Sequence, residues 1–376
     1  MFLISYFIYI ALILCGAVAK KSKLYSVIIF AFLLTLFGLN NHHLGYSNYF
    51  NMDFSNFYTA YLSSDGALSS RNMETGFRYI MYLSNSLGLS INSFRLVIGF
   101  FGFTLIINTI KRYSNYPNYV LSLYLIYPFI NDVIQIRSFL AASIVIFSIR
   151  YLIENKKWNL FKYVLSIFIA SSIHISSLFY LVLILVRFLK SKNIFVIVFT
   201  AFPTLVILAY TSFYPFLASK ITNNEKVFLY LSRRTTWGLL LVFGILFMLY
   251  LVHYILNKEC KRSLWNKDNS IINKVAKVKL DKIEFYDSML KINTILLLIA
   301  PLLVYDFNFI RLYRNILPLN YIIYIDAIIL NKASKHAYMY LTLIYVSLSI
   351  LFMVFYGLHA SEQIFPVFND NILLRP

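Results

Sequence analysis

Eleven apolar runs dominate the chain, at about residues 2–19, 24–39, 94–110, 117–131, 138–153, 160–187, 193–212, 237–257, 290–305, 312–330 and 337–358. A hydrocarbon core about 30 Å thick takes about 20 apolar residues of helix to cross, so runs of this kind read as membrane spans. Lipid offers no partner to a bare backbone N–H or C=O, which leaves helices and closed barrels as the spanning structures. No run alternates with the period of two of a barrel strand. The expectation is therefore an all-α polytopic integral membrane protein of about 10–12 transmembrane helices, with residues 1–376 as a single transmembrane domain. Composition agrees: 60% of residues are hydrophobic and 13% charged, against about 45–50% and about 25% in a soluble domain.

The formal net charge is +19. In a soluble protein that would suggest nucleic acid. Here most Lys and Arg sit in short clusters between apolar runs, where they act as topology signals, so no nucleic-acid partner is expected. Lys20, Lys21 and Lys23 follow the first run and place that loop in the cytoplasm and the N-terminus outside. Phe2–Val18 has no basic residue before it and no small-residue cleavage site after it, so it reads as a retained span. Cys15 and Cys260 form neither a disulfide framework nor a zinc spacing.

The run 160–187 is long for one span and short for two. If it doubles back as a broken, re-entrant hairpin, 23 of the 34 basic residues fall inside; if it crosses once, 16 do. The excess of Lys and Arg on the cytoplasmic side of membrane proteins favours the hairpin. Its polar apex, Ser171 to Ser177 with His174 at the centre, then lies at or below the outer face, on the side of loops 40–93 and 213–236 and the C-terminus. The basic loop 258–289 is cytoplasmic.

Within this topology the outer side carries the chemistry-bearing residues. Asp53, Tyr58 and Tyr61, at i, i+5 and i+8, suit one helical face; Tyr rings stack on sugars and carboxylates bind sugar hydroxyls, while an interfacial aromatic belt would use the same residues. Glu74 precedes 77–90, too short to span and read as a re-entrant or interfacial helix. Arg137 opens a span, with Asp132 five residues before it. A guanidinium there either reaches the headgroups or clamps an anionic ligand. Histidine as a residue type titrates near neutrality, which makes His174 a candidate general base as well as a candidate packing residue. Lys220, Lys226, Arg233 and Arg234 make an outer loop basic, which points to an anionic partner. Arg311 and Arg314 share a helical face, behind Asp306. His42 and His43 read as loop residues. The chain has no P-loop, no GxSxG elbow and no DxD motif, which argues against an ATPase, a lipase-like hydrolase and a metal-dependent glycosyltransferase.

Four ordered segments, MDFSNFYTAYL, ETGFRYIMYLSNSLGLS, IRSFLAASIVIFSIRYL and IASSIHISSLFYL, with a weaker fifth, FIRLYRNILPLNYI, resemble the EpsG family of Wzy-type oligosaccharide repeat-unit polymerases. Ser138 stands where the family commonly has Gln, Ile173 where it has Phe, and an Arg often found upstream of the Asp is absent. The resemblance implies glycosyl transfer at the outer face of the bacterial inner (cytoplasmic) membrane, in the assembly of O-antigen, capsule or exopolysaccharide. The donor it implies is an undecaprenyl-diphosphate-linked oligosaccharide, with no metal and no other cofactor. A flippase and a chain-length regulator of the same pathway, and membrane lipid, are the partners it suggests. On that reading Arg137, Arg311 and Arg314 hold the diphosphate, with Arg233 and Arg234 as further substrate contacts. His174, Asp53 and Glu74 are the candidate bases, His174 first, and Tyr58 and Tyr61 line the sugar path. The competing readings are a flippase or transporter of the lipid-linked unit, a membrane O-acyltransferase acting on the glycan, and a non-enzymatic scaffold.

Overall fold

A computed structural model describes residues 2–40, 52–62, 73–154, 156–221, 231, 237–266, 274–331, 336–357 and 360–371. The elements among them are helices; the β-bridge between Asn40 and Asn371 is isolated. Among the described residues six helices are long and apolar enough to cross a membrane: Ile91–Tyr113, Ile136–Ile153, Ser191–Ala209, Leu241–Trp265, Leu280–Val304 and His336–Phe355. Five shorter apolar helical stretches accompany them: Ser5–Val18, Lys23–Gly38, Asn159–Ile173, Ile175–Phe188 and Leu317–Leu330. The all-α polytopic fold is the one expected from the apolar runs.

Helix ends follow local chemistry. Ser22 accepts the Tyr25 amide at 3.2 Å to start Lys23–Gly38, and Ser90 accepts the Ser93 amide at 3.2 Å to start Ile91–Tyr113. Each hydroxyl satisfies an orphan donor of the first turn. Lys111 and Arg112 close Ile91–Tyr113, where the helix dipole favours cations.

Three departures from the apolar-run reading have identifiable causes. The run 117–131 is not one span: Pro117–Ile126 ends ahead of Pro128, Phe129–Ile134 follows as a short helix, and Ile136–Ile153 begins after a break at Gln135. Proline has no N–H to give the helix and its ring clashes with the preceding turn. Second, residues 258–266 and 274–289 of the expected loop are helical, as parts of Trp237–Asn266 and Lys274–Leu296. Lys and Glu are good helix formers, so a helix can run past its apolar segment. Third, the stretch 40–93, read as a loop, carries two helices, Met52–Leu62 and Thr75–Ser86, and 213–236 carries Phe213–Ile221.

The run 160–187 does double back. Asn159–Ile173 is α-helical and Ile175–Ile184 is a tighter 3₁₀ stretch. The Tyr163 hydroxyl donates to the Tyr180 carbonyl at 2.6 Å, and Arg187 donates to the Lys156 carbonyl at 3.1 Å. A straight helix would hold Tyr163 and Tyr180 about 25 Å apart.

The chain forms two compact units. The first comprises Met1–Ser148, Leu165–Leu178 and Leu348–Pro376. In it Phe2–Val18 packs on Pro117–Ile126 and Lys23–Gly38 on Ile91–Tyr113. Phe37 lies against Phe103 and Phe139, and the fully buried Arg95 donates to the Phe37 and Val133 carbonyls at 2.8 and 3.1 Å. The second unit comprises Ile149–Val164 and Phe179–Ser347. Its core joins Trp237–Asn266, Lys274–Leu296 and Leu317–Leu330. Polar side chains cross-link them: the buried Asn293 with Asn320 at 2.8 Å and with His253 at 3.2 Å, and the buried Asp326 with the half-buried Lys282 at 2.5 Å and with Tyr286 at 2.8 Å.

Candidate functional site

The side chains of Glu74, Arg137 and His174, from three segments of the first unit, meet with the Glu74 carboxylate between the other two. The Glu74 backbone (φ −68°, ψ 145°) starts the Thr75–Ser86 helix, but its carboxylate does not cap that helix. Oε2 instead accepts from Arg137 Nη1 at 2.8 Å, while Oε1 lies 3.1 Å from His174 Nδ1 and accepts the Ile175 amide at 3.1 Å. Ile175 opens the 3₁₀ stretch at the bend of the hairpin, so Glu74 caps an element 101 residues away. The break at Gln135 places Arg137 in the first turn of Ile136–Ile153, where unpaired amides and the helix dipole also favour negative charge.

The three side chains are shielded: relative exposure is 10% for Glu74, 12% for His174 and 21% for Arg137. Burial alone would raise the Glu74 pKa. The hydrogen bond and charge of His174, then the Arg137 charge and the Ile175 amide, outweigh that and hold it down at about 2. An ionised carboxylate only accepts hydrogen bonds, so His174 Nδ1 is the donor of the pair. The cluster therefore orients an imidazole beside a guanidinium.

The other sequence candidates lie elsewhere. Asp132 is buried and accepts from the Tyr124 hydroxyl at 2.6 Å, so the Arg137 carboxylate partner is Glu74 instead. Tyr61 is 3% exposed, its hydroxyl donates to the Leu89 carbonyl at 2.7 Å, and its ring packs on Phe94 and Phe57. That geometry packs the Met52–Leu62 helix rather than offering a face to a sugar. Tyr58 is half-buried on the same helix. Asp53 belongs to this helix too, but its side chain lies outside the described residues, as do Arg233, Arg234, His42 and His43. Arg311 and Arg314 belong to the second unit, on one short helical turn, with Arg314 buried and Arg311 half-buried. The Tyr180 hydroxyl donates to the Leu312 carbonyl on that turn at 2.8 Å.

Two features escape sequence reasoning. One is the sharing of Glu74 between Arg137 and His174, since separations of 63 and 100 residues leave no local pattern. The other is Arg95; its place near the start of an apolar run is the signal that could have found it. Among the described residues no group of three His, Cys, Asp or Glu side chains is arranged to hold a metal ion.

A comparison with curated proteins finds no match, and neither does a comparison with solved structures. The EpsG family matches residues 23–369, nearly the whole chain and with it Glu74, Arg137 and His174. The chain belongs to the EpsG family, and that membership suggests a role as a polysaccharide polymerase.

Proposed function

We propose that this protein joins undecaprenyl-diphosphate-linked oligosaccharide repeat units into a surface polysaccharide at the outer face of a bacterial cytoplasmic membrane. The observation that carries the reading is the cluster of Glu74, Arg137 and His174. In the proposed step an acceptor hydroxyl oxygen bonds to the anomeric carbon of the donor, and the bond from that carbon to the diphosphate oxygen breaks. His174 Nε2 takes the hydroxyl proton. The lipid diphosphate leaves as an anion, and the Arg137 donors not used by Glu74 stabilise it. Glu74 fixes the imidazole tautomer and stabilises the imidazolium once it has formed.

The magnitudes suit the step. A positioned base is worth about 10²–10⁴-fold in rate. One preorganised donor at a developing anion is worth about 2.7–4 kcal/mol. The lipid diphosphate is an activated leaving group, so the reading needs neither metal nor nucleotide. Arg311, Arg314, Arg233 and Arg234 are proposed contacts to the lipid-linked substrate, and Tyr58 to its sugars; Asp53 is the alternative base. The outer-face placement, with both termini outside, rests on the Lys and Arg distribution.

One observation favours a second reading, transport of the lipid-linked unit. The second unit buries Asp326, paired with the half-buried Lys282, and the His253–Asn293–Asn320 network among its apolar helices. Ionisable groups inside a bundle are a mark of transport pathways.

The test is gel profiling of surface polysaccharide in a deletion strain complemented with wild type, Arg137→Ala or His174→Ala. Polymerase function predicts single lipid-attached repeat units without a ladder, and a ladder restored by wild type alone. Loss of even the single units would move the reading to transport. An intact ladder in the deletion strain would end the polymerase reading.

A further inference from the structure

Gly76 is the second residue of the Thr75–Ser86 helix. Alanine forms helix better than glycine, so local propensity does not account for it. The neighbour does. A Cβ on Gly76 would lie 2.3 Å from Ser172 Oγ, 2.8 Å from Ser172 Cβ and 2.7 Å from the Ser172 carbonyl oxygen. The hydroxyl can rotate away, but the carbonyl belongs to the last turn of Asn159–Ile173, two residues before His174, and cannot yield without moving the bend. Glu74 stands two residues before Gly76, so the helix start and the Ser172 backbone meet beside the place where the carboxylate reaches His174 and Ile175.

We infer that Gly76 is a positioning residue: its missing side chain lets the start of the Thr75–Ser86 helix seat on the His174 bend, and this contact sets the Glu74 carboxylate on the imidazole. The inference rests on the reading of Glu74 and His174 as the working pair. A methyl group at this position pushes the helix start off the bend. The Glu74 contacts to Nδ1 and to the Ile175 amide, each 3.1 Å, then open together. The rest of the first unit is held by other contacts, such as the Asn40–Asn371 bridge.

The experiment is cross-linking in membranes, in a Cys15→Ser/Cys260→Ser background. One thiol pair is made with Glu74→Cys and His174→Cys, and a control pair with Asn40→Cys and Asn371→Cys. Each pair is treated with a short bifunctional thiol reagent, with and without Gly76→Ala. The expected result is a several-fold slower reaction at 74/174 with Gly76→Ala and an unchanged rate at 40/371. In otherwise native protein, Gly76→Ala should abolish the polysaccharide ladder at wild-type membrane levels. An unchanged rate at 74/174 overturns the inference, and so does equal slowing of both pairs, which marks a general loss of fold. A retained ladder beside a slowed 74/174 pair overturns the link to the reaction. The cross-linking does not depend on activity, so failure of the polymerase reading itself would show separately, as a ladder that survives deletion of the gene.

Discussion

Glu74 and His174 are 100 residues apart in the chain and 3.1 Å apart in space, carboxylate Oε1 against imidazole Nδ1. The contact gives the carboxylate work that its own helix does not. A residue starting a helix commonly accepts a first-turn amide with its side chain. Glu74 instead serves a ring, a guanidinium and an amide that belong to other segments. A shared carboxylate of this kind makes the three groups interdependent, and the predictions follow from that dependence.

Glu74→Gln keeps the shape but can no longer fix which imidazole nitrogen carries the proton. Turnover of a lipid-linked donor should fall about 10²–10⁴-fold, as for loss of a positioned base. His174→Ala should do the same, and Glu74→Gln/His174→Ala should be little worse than either alone, because groups acting as a unit do not add. Polymerisation in membrane vesicles measures this, and fully additive losses would separate the two residues.

The depressed Glu74 pKa has a signed consequence for stability. The group sits at about 2 in the fold against an ordinary 4.5, so the unfolded chain binds the proton more readily. The tie to Arg137 and His174 is therefore complete above pH 4.5 and is lost as pH falls toward 2. By linkage this is worth roughly 3 kcal/mol, an upper figure for a shielded group. Thermal unfolding of purified protein between pH 6 and pH 3 should show a steeper decline for wild type than for Glu74→Gln. Parallel declines would contradict the tie.

Arg137→Lys is expected to fail as Arg137→Ala does, by about 10²-fold or more in turnover. A guanidinium can hold Glu74 with one nitrogen and offer the others to phosphate oxygens, whereas an ammonium is a single point of charge on a flexible stem. Donor turnover across wild type and both variants is the measurement. Substantial activity in Arg137→Lys would mean that charge alone suffices.

How far the chain was legible in advance depended on the range of the interactions involved. The apolar runs are local, and they led to helices in a membrane. The reversal at His174 was legible because the Lys and Arg count inverts if the chain crosses there. The break at Pro128 was hidden by counting run length alone, although proline carries the signal. Tyr61 was misjudged because i, i+5, i+8 spacing shows that side chains share a face without showing what that face meets, which here is Phe94 and the Leu89 carbonyl. Asp132 was the near neighbour of Arg137 in sequence, yet Tyr124 takes it and the distant Glu74 takes the arginine. Tertiary pairing of this kind is decided by packing, which a single sequence does not display.

The hairpin itself yields the most direct topological prediction. Tyr163 and Tyr180 are bonded across its two legs, and Arg187 reaches the Lys156 carbonyl, so both ends of the reversal emerge together. Single cysteines made by Lys157→Cys and Lys190→Cys, in a Cys15→Ser/Cys260→Ser background, should therefore label from the same side. The positive-inside argument makes that side the cytoplasm, reached by an impermeant thiol reagent only in inverted vesicles. Ser172→Cys, at the bend, should label from the opposite side in whole cells. If Lys157→Cys and Lys190→Cys label from opposite sides, the segment crosses once, everything after it inverts, and His174 is no longer at the outer face. The polymerase geometry would fail with it, because the acceptor hydroxyl and the lipid diphosphate must meet the imidazole on one side of the membrane.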